Sequence, residues 1–212
     1  MYIAIDGIIG VGKTTLARLL QPFFEAKLLL EAFEENPFLA DFYGDRKRYA
    51  FQTQIFFLLN RYRQQQSLVK DDFQNTNLLA DYCFEKDMLF AQLNLVNDEL
   101  NTYQLVYDAL VERIVAPDLI VYLKAKPEVA MQRIAMRDRT YERQMDSKYL
   151  EALHDTYEAF FSDYKSVPVL SIDTNALNYV IYPDHLSYIT KRIQAALGIP
   201  PFQPELPLKG DL

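Results

Sequence analysis

The sequence contains no tryptophan, one cysteine and only two histidines among its 212 residues. Cys83 has no partner for an internal disulfide, so we expect a reducing compartment. His154 and His185 lie apart, without cysteines or clustered acids beside them, which argues against a zinc site. No apolar run approaches the roughly 18 residues of a membrane span, and no basic segment precedes an apolar stretch at the N-terminus. These absences predict a cytoplasmic protein with no membrane partner.

The charge balance narrows the class of ligand. The chain has 29 acidic residues against 22 lysines and arginines, a formal net charge of −7. Proteins that bind the nucleic-acid backbone usually need a basic face, so we expect no nucleic-acid partner. A small anionic ligand remains compatible, because one local basic cluster is enough to bind it. The 50% hydrophobic content is that of an ordinary globular protein with one sizeable core.

Short apolar runs alternate with helical stretches along the chain. Each run ends in or just before a polar or charged residue, and the runs lie at 2–6, 28–31, 77–81, 118–124 and 167–173. Continuous apolar runs separated by helices are typical of a parallel sheet covered on both faces. We therefore predict an α/β fold, with a five-stranded parallel sheet and helices on both faces.

Helices and boundaries follow from the same pattern. The first helix is expected after the first run, with a break near Pro22. The later helices are expected at 47–69, 85–113, 127–138, 147–164 and 184–197. We expect one domain over 1–200 and a proline-rich, extended tail over 201–212.

Residues 7–14 read GIIGVGKT and satisfy the phosphate-loop pattern G-x-x-x-x-G-K-[ST]. Glycines let backbone amides turn towards a phosphate, the lysine reaches its terminal oxygens, and the threonine hydroxyl can ligate Mg²⁺. The pattern lies between a predicted strand and a predicted helix, whose N-terminus adds positive charge. We predict that ATP binds here. The residues expected to hold it are Gly7, Gly10, Val11, Gly12, Lys13, Thr14 and Thr15.

The carboxyl ends of the strands supply the next candidates, because ligands of open parallel sheets gather there. The sequence places Asp6, Glu31, Asp81, Lys124 and Asp173 at these ends. Glu31 follows the second run, where it can take the proton of an acceptor hydroxyl that meets the γ-phosphate. A solvated loop acid is the alternative that the spacing leaves open.

A basic segment, AMQRIAMRDRTYERQMD, lies late in the chain. Arg133 and Arg137 are four residues apart on one helix face, and Arg139 and Arg143 follow. Like charges at this spacing repel, whereas an arriving polyphosphate would supply the missing anion. A solvated surface face is the alternative. Beside a phosphate loop, we favour a mobile lid.

Together these residues resemble the bacterial branch of the deoxynucleoside kinases, relatives of the deoxycytidine, deoxyguanosine and mitochondrial thymidine kinases. The segment EAFEENPFL resembles the family's Glu-Pro-Val stretch, which implies that Glu31 is the catalytic base. YAFQTQ is similar to the family's Phe-Gln-Thr helix, which implies that Gln52 grips the nucleobase. An amide donates and accepts at once, so such a pair is chemically sensible. The residues alone favour a helix-surface amide at Gln52.

The resemblance also implies a lid and a sugar site. RIAMRDRTYE is similar to the family's lid, which puts Arg133, Arg137 and Arg139 on the phosphates. Glu142 then falls where the family binds the sugar 3′-hydroxyl, and Tyr43 resembles its usual partner.

Two further segments complete the resemblance. SIDTNALNYVIYPDHL, which includes Asp173, is similar to the segment that closes over the adenine of ATP in bacterial members. Phe51 and Phe84 are implied to flank the base.

One segment departs from the family pattern. Members typically carry Asp/Glu-Arg-Ser after the third strand, whereas this chain reads LLADYCFEKDMLFA. Anchored on Phe90 and Ala91, the alignment puts Asp81 in place of the arginine. A slip by one residue gives Asp81 the metal role, which we favour because a strand-terminal aspartate is a natural Mg²⁺ ligand. The arginine is then missing, and Lys86 can supply its charge. Without the slip, Lys86 falls at a base-reading position.

These expectations combine into a hypothesis for the function. We predict a deoxynucleoside kinase that transfers the γ-phosphoryl of ATP to a 5′-hydroxyl, with Mg²⁺ on Thr14 and Asp81. A purine deoxynucleoside is favoured, and the family implies a homodimer, with which the apolar stripe at 51–62 is compatible. A nucleoside monophosphate kinase is the alternative enzyme, and Arg46, Lys47, Arg48 and Arg61 are its candidate phosphate ligands. A non-catalytic ATP-binding regulator is the alternative outside enzymes.

Overall fold

A computed structural model describes residues 1–70, 76–143 and 145–200. Within them, five strands form an all-parallel sheet in the order β2-β3-β1-β4-β5. The strands are β1 Tyr2–Asp6, β2 Ala26–Leu29, β3 Asn77–Ala80, β4 Leu119–Lys124 and β5 Val169–Asp173. The predicted α/β fold with a five-stranded parallel sheet is confirmed. The predicted tail at 201–212 lies outside the described residues.

The strands are connected by helices, as parallel pairing requires. The helices are α1 Lys13–Phe24, α2 Leu39–Gly44, α3 Arg46–Lys70, α4 Lys86–Asn94, α5 Asn97–Val111, α6 Pro127–Arg137, α7 Ser147–Asp163 and α8 Pro183–Ala196. Within the described residues, short 3₁₀ turns lie at Phe33–Glu35 and Thr140–Glu142. In the parts of the chain that are described, no helix combines the length and the apolar character needed to cross a membrane.

Two helix predictions need correction. The stretch 85–113 forms two helices, because Leu95 and Val96 are extended between α4 and α5. Leu95 is buried, so packing its side chain in the core outweighs continuing the helix. Helix α1 runs through Pro22 to Phe24 and ends at Glu25 in a left-handed conformation. Pro22 lies in the last turn, where one missing N–H affects little of the helix.

The central strand β1 positions the site. All five of its residues are buried, and β3 and β4 pair with it on either side. The segment that follows β1 therefore emerges at the middle of the carboxyl edge. Strand β2 ends at Leu29, so Glu31 lies two residues beyond the strand instead of at its last position. The extra residues carry Glu31 outward from the edge, towards α3 and α4.

Candidate active site

The phosphate loop is anchored by a buried carboxylate at the end of β1. Asp6 accepts hydrogen bonds from the backbone N–H of Gly7 at 2.6 Å and of Cys83 at 3.0 Å, and from the Tyr157 hydroxyl at 3.0 Å. Gly7 has a φ of 143°, and a side chain there would overlap the Leu123 carbonyl. Asp6 thus fixes where the loop begins, while Gly7 provides its first turn.

Lys13 closes over the loop that precedes it. Its ammonium donates to the carbonyls of Gly7 at 2.8 Å and Ile8 at 3.0 Å. Burial, helped by the nearby Lys86 cation, lowers the pKa of Lys13 to about 8. Two cations close enough to affect each other, one buried and one half-buried, are a favourable setting for an anion.

Thr14 and Asp81 meet at the mouth of the loop. The Thr14 hydroxyl donates to Oδ2 of Asp81 at 2.5 Å, and the Glu31 N–H donates to Oδ1 at 2.7 Å. Asp81 directly follows β3. A hydroxyl and a carboxylate are hard oxygen ligands of the kind that Mg²⁺ takes. Among the described residues no group of three metal-binding side chains occurs, so an ion here would also need phosphate and water oxygens.

Glu31 is held by two cations. Lys86 donates to its Oε2 at 2.6 Å, and Arg61 pairs with its Oε1. Burial opposes ionisation, but Arg61 and Lys86 outweigh it and hold the pKa of Glu31 well below its usual value. The carboxylate is therefore ionised and fixed in direction, beside Lys13 and Asp81. Lys86, which lies within the segment that departs from the family pattern, places its ammonium on this carboxylate.

A second carboxylate shares Arg61 with Glu31. Asp87 is fully buried and its carboxylate pairs with Arg61. The Tyr103 hydroxyl donates to the backbone carbonyl of Asp87. Burial raises the pKa of Asp87 to about 6, because Arg61 and Lys86 offset it only in part. Arg61 was predicted only as a phosphate ligand of the alternative enzyme, and Asp87 was not predicted as a site residue. One face of α3 carries polar residues at helical spacing: Gln54, Arg61 and Gln65. This pattern could have indicated that Arg61 faces the site.

A cavity opens in front of Glu31. It is bounded by Lys13, Thr14 and Asp81 at one end and by Arg137, Arg139 and Glu142 at the other. Six aromatic rings line its walls: Phe33, Phe42, Tyr43, Phe57, Phe90 and Tyr141. An apolar, aromatic cavity with a few convergent polar groups is typical of a small-molecule site. We refer to it as the acceptor cavity.

Two predicted base contacts lie elsewhere. Gln52 is on the exposed side of α3, whereas Gln54 is 3% exposed and lines the acceptor cavity. Two residues turn a helix by about 200°, so the two glutamines face opposite ways. Phe84 is buried against Tyr107, with 5.4 Å between ring centroids, and does not line the cavity. Both assignments, Gln52 and Phe84, are therefore corrected.

The lid residues meet over the cavity. Arg137 makes a two-pronged contact with Glu142, whose side chain is 5% exposed, and Arg139 lies 3.8 Å from the same carboxylate. Tyr141 stacks on Tyr43, with 6.0 Å between centroids. The structure thus brings together Tyr43, Glu142 and two of the predicted arginines at one side of the cavity.

A second cavity, the donor cavity, lies on the other side of the phosphate loop. It is lined by Gly10, Val11, Gly12, Thr15 and Arg133 and by residues 175–181. Gly10 and Arg137 line both cavities, so the two meet at the loop. Arg133 donates to the carbonyls of Val11 and Thr174 at 3.1 and 2.7 Å, so it joins two parts of the protein.

Asp173 does not line the donor cavity. It is exposed, and its carboxylate accepts the Asn175 N–H at 2.8 Å, which forms the turn after β5. The prediction that Asp173 binds the cofactor is corrected accordingly. The residues after it, Asn175 to Ile181, form that wall instead.

A phosphate loop after the first strand of a parallel sheet, with arginines and a cavity beside it, is typical of P-loop phosphotransferases. Within that class, residues 3–197 match the family model for deoxynucleoside kinases. The chain is 32% identical to a deoxyguanosine kinase of Bacillus subtilis, over 91% of this chain and 96% of that one. It is 34% identical to a deoxyadenosine kinase of Dictyostelium discoideum, over 90% and 78%.

The solved structures agree. A deoxyadenosine kinase of M. mycoides, with dCMP and a flexible dCDP bound, superposes with a TM-score of 0.81 at 26% identity. The match covers 92% of this chain and all of that one. The chain belongs to the deoxynucleoside kinase family, and it is an ATP-dependent phosphotransferase that acts on a nucleoside hydroxyl.

Proposed function

We propose that phosphoryl transfer takes place where the two cavities meet, from ATP in the donor cavity to the 5′-hydroxyl of a deoxynucleoside in the acceptor cavity. The observation that carries this proposal is the position of Glu31. Its carboxylate lies at the wall of the acceptor cavity beside Lys13 and Asp81, ionised and held by Lys86 and Arg61. An ionised carboxylate at that point can accept the proton of the attacking hydroxyl.

The loop and the lid hold the phosphates. The amides from Gly7 to Thr14 face the β- and γ-phosphates, and Lys13 exchanges its two loop carbonyls for phosphate oxygens. Arg137 and Arg139 both contact Glu142 in this structure; Arg137 lies at the border of the two cavities, and Arg139 lines the acceptor cavity beside it. From there their guanidinium groups stabilise the charge that develops on the transferring group. The border that the two cavities share at Gly10 and Arg137 supports these roles.

We propose Mg²⁺ as the cofactor, held by Thr14 and Asp81 together with phosphate oxygens. The pair fits the ion because both side chains present oxygen and lie within 2.5 Å of each other at the end of the loop. When bound, the ion offsets phosphate charge during transfer. Asp81 has a further task, since it holds the Glu31 backbone N–H and so orients the residue that takes the proton.

We propose that Gln54, Thr53 and Arg61 recognise the base. Gln54 is buried on the cavity side of α3. Thr53 and Arg61 also line the cavity, and within the described residues the buried Thr53 hydroxyl and Arg61 Nε have no hydrogen-bond partner. Buried polar groups need partners, and a base edge offers both donors and acceptors. Asp87 positions Arg61 from behind.

Tyr43 and Glu142 are proposed to hold the sugar, as the resemblance implied. Both line the side of the acceptor cavity near the lid. Arg137 and Arg139 fix the Glu142 carboxylate there, so a sugar hydroxyl would meet an oriented acceptor. Movement of the lid arginines towards the phosphates would then couple donor binding to the sugar contact.

The preferred acceptor is proposed to be a purine deoxynucleoside. Deoxyguanosine and deoxyadenosine kinases are among the relatives with which the chain shares 32% and 34% identity. The test is a steady-state comparison of the four deoxynucleosides with ATP and Mg²⁺. We expect the highest kcat/KM with deoxyguanosine or deoxyadenosine. A higher value with deoxycytidine or thymidine would contradict the preference without affecting the proposed mechanism.

A nucleoside monophosphate kinase would need a cation free to bind the acceptor's own phosphate. Arg46 instead pairs with Asp146 at 3.0 Å, and Lys47 and Arg48 are exposed away from the cavity wall. Arg61 is engaged by two carboxylates. The arrangement favours a nucleoside. Including dGMP and dAMP in the same assay tests this, since faster transfer to a monophosphate would overturn it.

A homodimer and a cytoplasmic location remain predictions. Leu59 on α3 is 39% exposed, and Leu105 on α5 is 73% exposed. Burying such side chains against a second copy would remove apolar surface from water. Light scattering on the purified protein decides the oligomeric state; a monomer mass at micromolar concentration would contradict the dimer.

A further inference from the structure

Besides the phosphate loop and α6, the segment after β5 forms a wall of the donor cavity. Residues 174–181 follow β5, and those from Asn175 onward line the cavity. Val180 and Ile181 present apolar side chains there, each 65% exposed. The Asn178 side chain holds this end of the segment together, because its carbonyl accepts the N–H of Val180 at 3.2 Å and of Ile181 at 3.1 Å. We refer to residues 174–181 as the donor wall.

Two side chains connect the donor wall to the phosphate loop. The Tyr179 hydroxyl lies 3.2 Å from the carbonyl oxygen of Gly12 and 3.4 Å from that of Val11, and it donates to them. Arg133 donates to the Val11 carbonyl and to the carbonyls of Thr174 and Leu177. Both side chains therefore donate to the Val11 carbonyl, and Tyr179 also reaches the carbonyl of Gly12.

The Tyr179 contact is built tightly. The side chain is 6% exposed. Gly12, with a φ of 107°, caps the N-terminus of α1, and a side chain on it would overlap the Tyr179 hydroxyl. Burial raises the pKa of Tyr179 to about 12, so the hydroxyl keeps its proton at neutral pH and remains a donor.

We propose that Tyr179 is a positioning residue for the donor nucleotide: its hydroxyl ties the donor wall to the phosphate loop at a fixed separation. The inference rests on the proposed binding of ATP in the donor cavity. ATP has two parts, a base that faces the wall and phosphates that enter the loop. A ligand with two linked parts gains affinity when both of its subsites are already set at the right spacing.

The decisive variant is Tyr179→Phe, which keeps the ring and removes only the hydroxyl. Tyr188→Phe is the matched control, because its hydroxyl lies on α8, 48% exposed, and accepts only from Arg192 among the described residues. Titration calorimetry measures the affinity of each protein for ATP and for inorganic tripolyphosphate. These measurements need no acceptor, so they remain interpretable even if the proposed acceptor is wrong.

We expect Tyr179→Phe to weaken ATP binding by about threefold to tenfold, the range for one net hydrogen bond. Tripolyphosphate, which fills only the loop, should bind within about twofold of wild type. The KM for ATP should rise while the KM for the deoxynucleoside and the melting temperature stay unchanged. Tyr188→Phe should match wild type throughout.

Three outcomes would overturn the inference. Unchanged ATP affinity in Tyr179→Phe would show that the hydroxyl fills space in the structure and does not contribute to ATP binding. Equal losses for ATP and tripolyphosphate would show that it stabilises the loop alone. A lower melting temperature together with a raised KM for both substrates would assign it a general structural role.

Discussion

The two cavities of this protein are lined by different kinds of groups. The acceptor cavity depends on charged side chains that hold one another, with Glu31, Arg61 and Lys86 in contact. The donor cavity is lined by the phosphate loop, by α6 and by residues 175–181, and Arg133 on α6 donates to backbone carbonyls of the loop and of the segment after β5. A substitution in the acceptor cavity can therefore remove a group that contacts the substrate. In the donor cavity, most substitutions would act by changing the position of the backbone.

The largest expected effect is on the acceptor side. Glu31→Gln removes the proton acceptor and keeps the side-chain size, so we expect kcat to fall by about 100-fold to 10,000-fold. The KM for ATP should change little, because Glu31 faces the acceptor cavity. Steady-state kinetics measure both values. Glu34→Gln, an exposed change three residues on, is the control. A Glu31→Gln enzyme with a normal kcat would contradict the role.

The two glutamines of α3 sharpen the same comparison. Gln54→Leu leaves a bound base without its partner, which we expect to raise the KM for the deoxynucleoside by roughly tenfold. Gln52→Leu, on the exposed side of the same helix, should change it by less than about twofold. Equal effects of the two substitutions would show that the helix, and not the cavity contact, is responsible.

The buried pair behind the cavity predicts a pH effect on stability. The pKa of Asp87 is raised to about 6 in the folded protein, from an ordinary value of 3.8. The folded state therefore holds this proton more tightly, and Asp87 lowers stability as the pH rises from about 4 to about 6. Urea unfolding of wild type and Asp87→Asn checks this. As the pH rises from about 4 to about 6, the free energy of unfolding of wild type should fall relative to that of Asp87→Asn. Above about pH 6 the difference between the two proteins should stay constant.

A flat difference across that pH range would contradict the assignment. The curve for Asp87→Asn itself controls for all other titrating groups, since only position 87 differs. Glu31 has the opposite sign: its pKa is lowered, so its contribution is present above pH 4.5 and lost as the pH falls. Because Glu31 and Asp87 share Arg61, their opposite effects on the free energy of unfolding need to be assigned with separate variants.

The smallest effect is expected outside both cavities. Arg143 pairs with Asp138, and both side chains are more than half exposed. Exposed pairs contribute about 0–1 kcal/mol, so Arg143→Ala should leave the melting temperature, kcat and both KM values close to wild type. Arg137→Ala, six residues earlier at the border of the cavities, should lower kcat. A similar loss in both variants would mean that net lid charge matters more than position.

Local patterns explain what the sequence could predict. The phosphate loop is a contiguous motif, and the strands are short apolar runs, so both were readable from neighbouring residues. Glu31 and Asp81 follow from positions close to strand ends, and Lys86 follows from the resemblance, although the extra residue Leu30 between the end of β2 and Glu31 was not foreseen. These features depend on chain order more than on packing.

The errors arise where packing decides. The phase of α3 selects Gln54 over Gln52, and nothing adjacent in the sequence fixes that phase. The pairing of Arg61 with Asp87 joins α3 and α4, which are far apart along the chain. Phe84 was expected at the base but packs on Tyr107 of α5, and that contact depends on the break between α4 and α5.

The central claim is that one phosphoryl group passes between two adjoining cavities. An inhibitor that joins adenosine and deoxyguanosine through a five-phosphate chain tests this most directly, because it should fill both cavities at once. We predict competitive inhibition against ATP and against the deoxynucleoside, with an inhibition constant below either KM. Competition with ATP alone, and a noncompetitive pattern against the deoxynucleoside, would contradict the account.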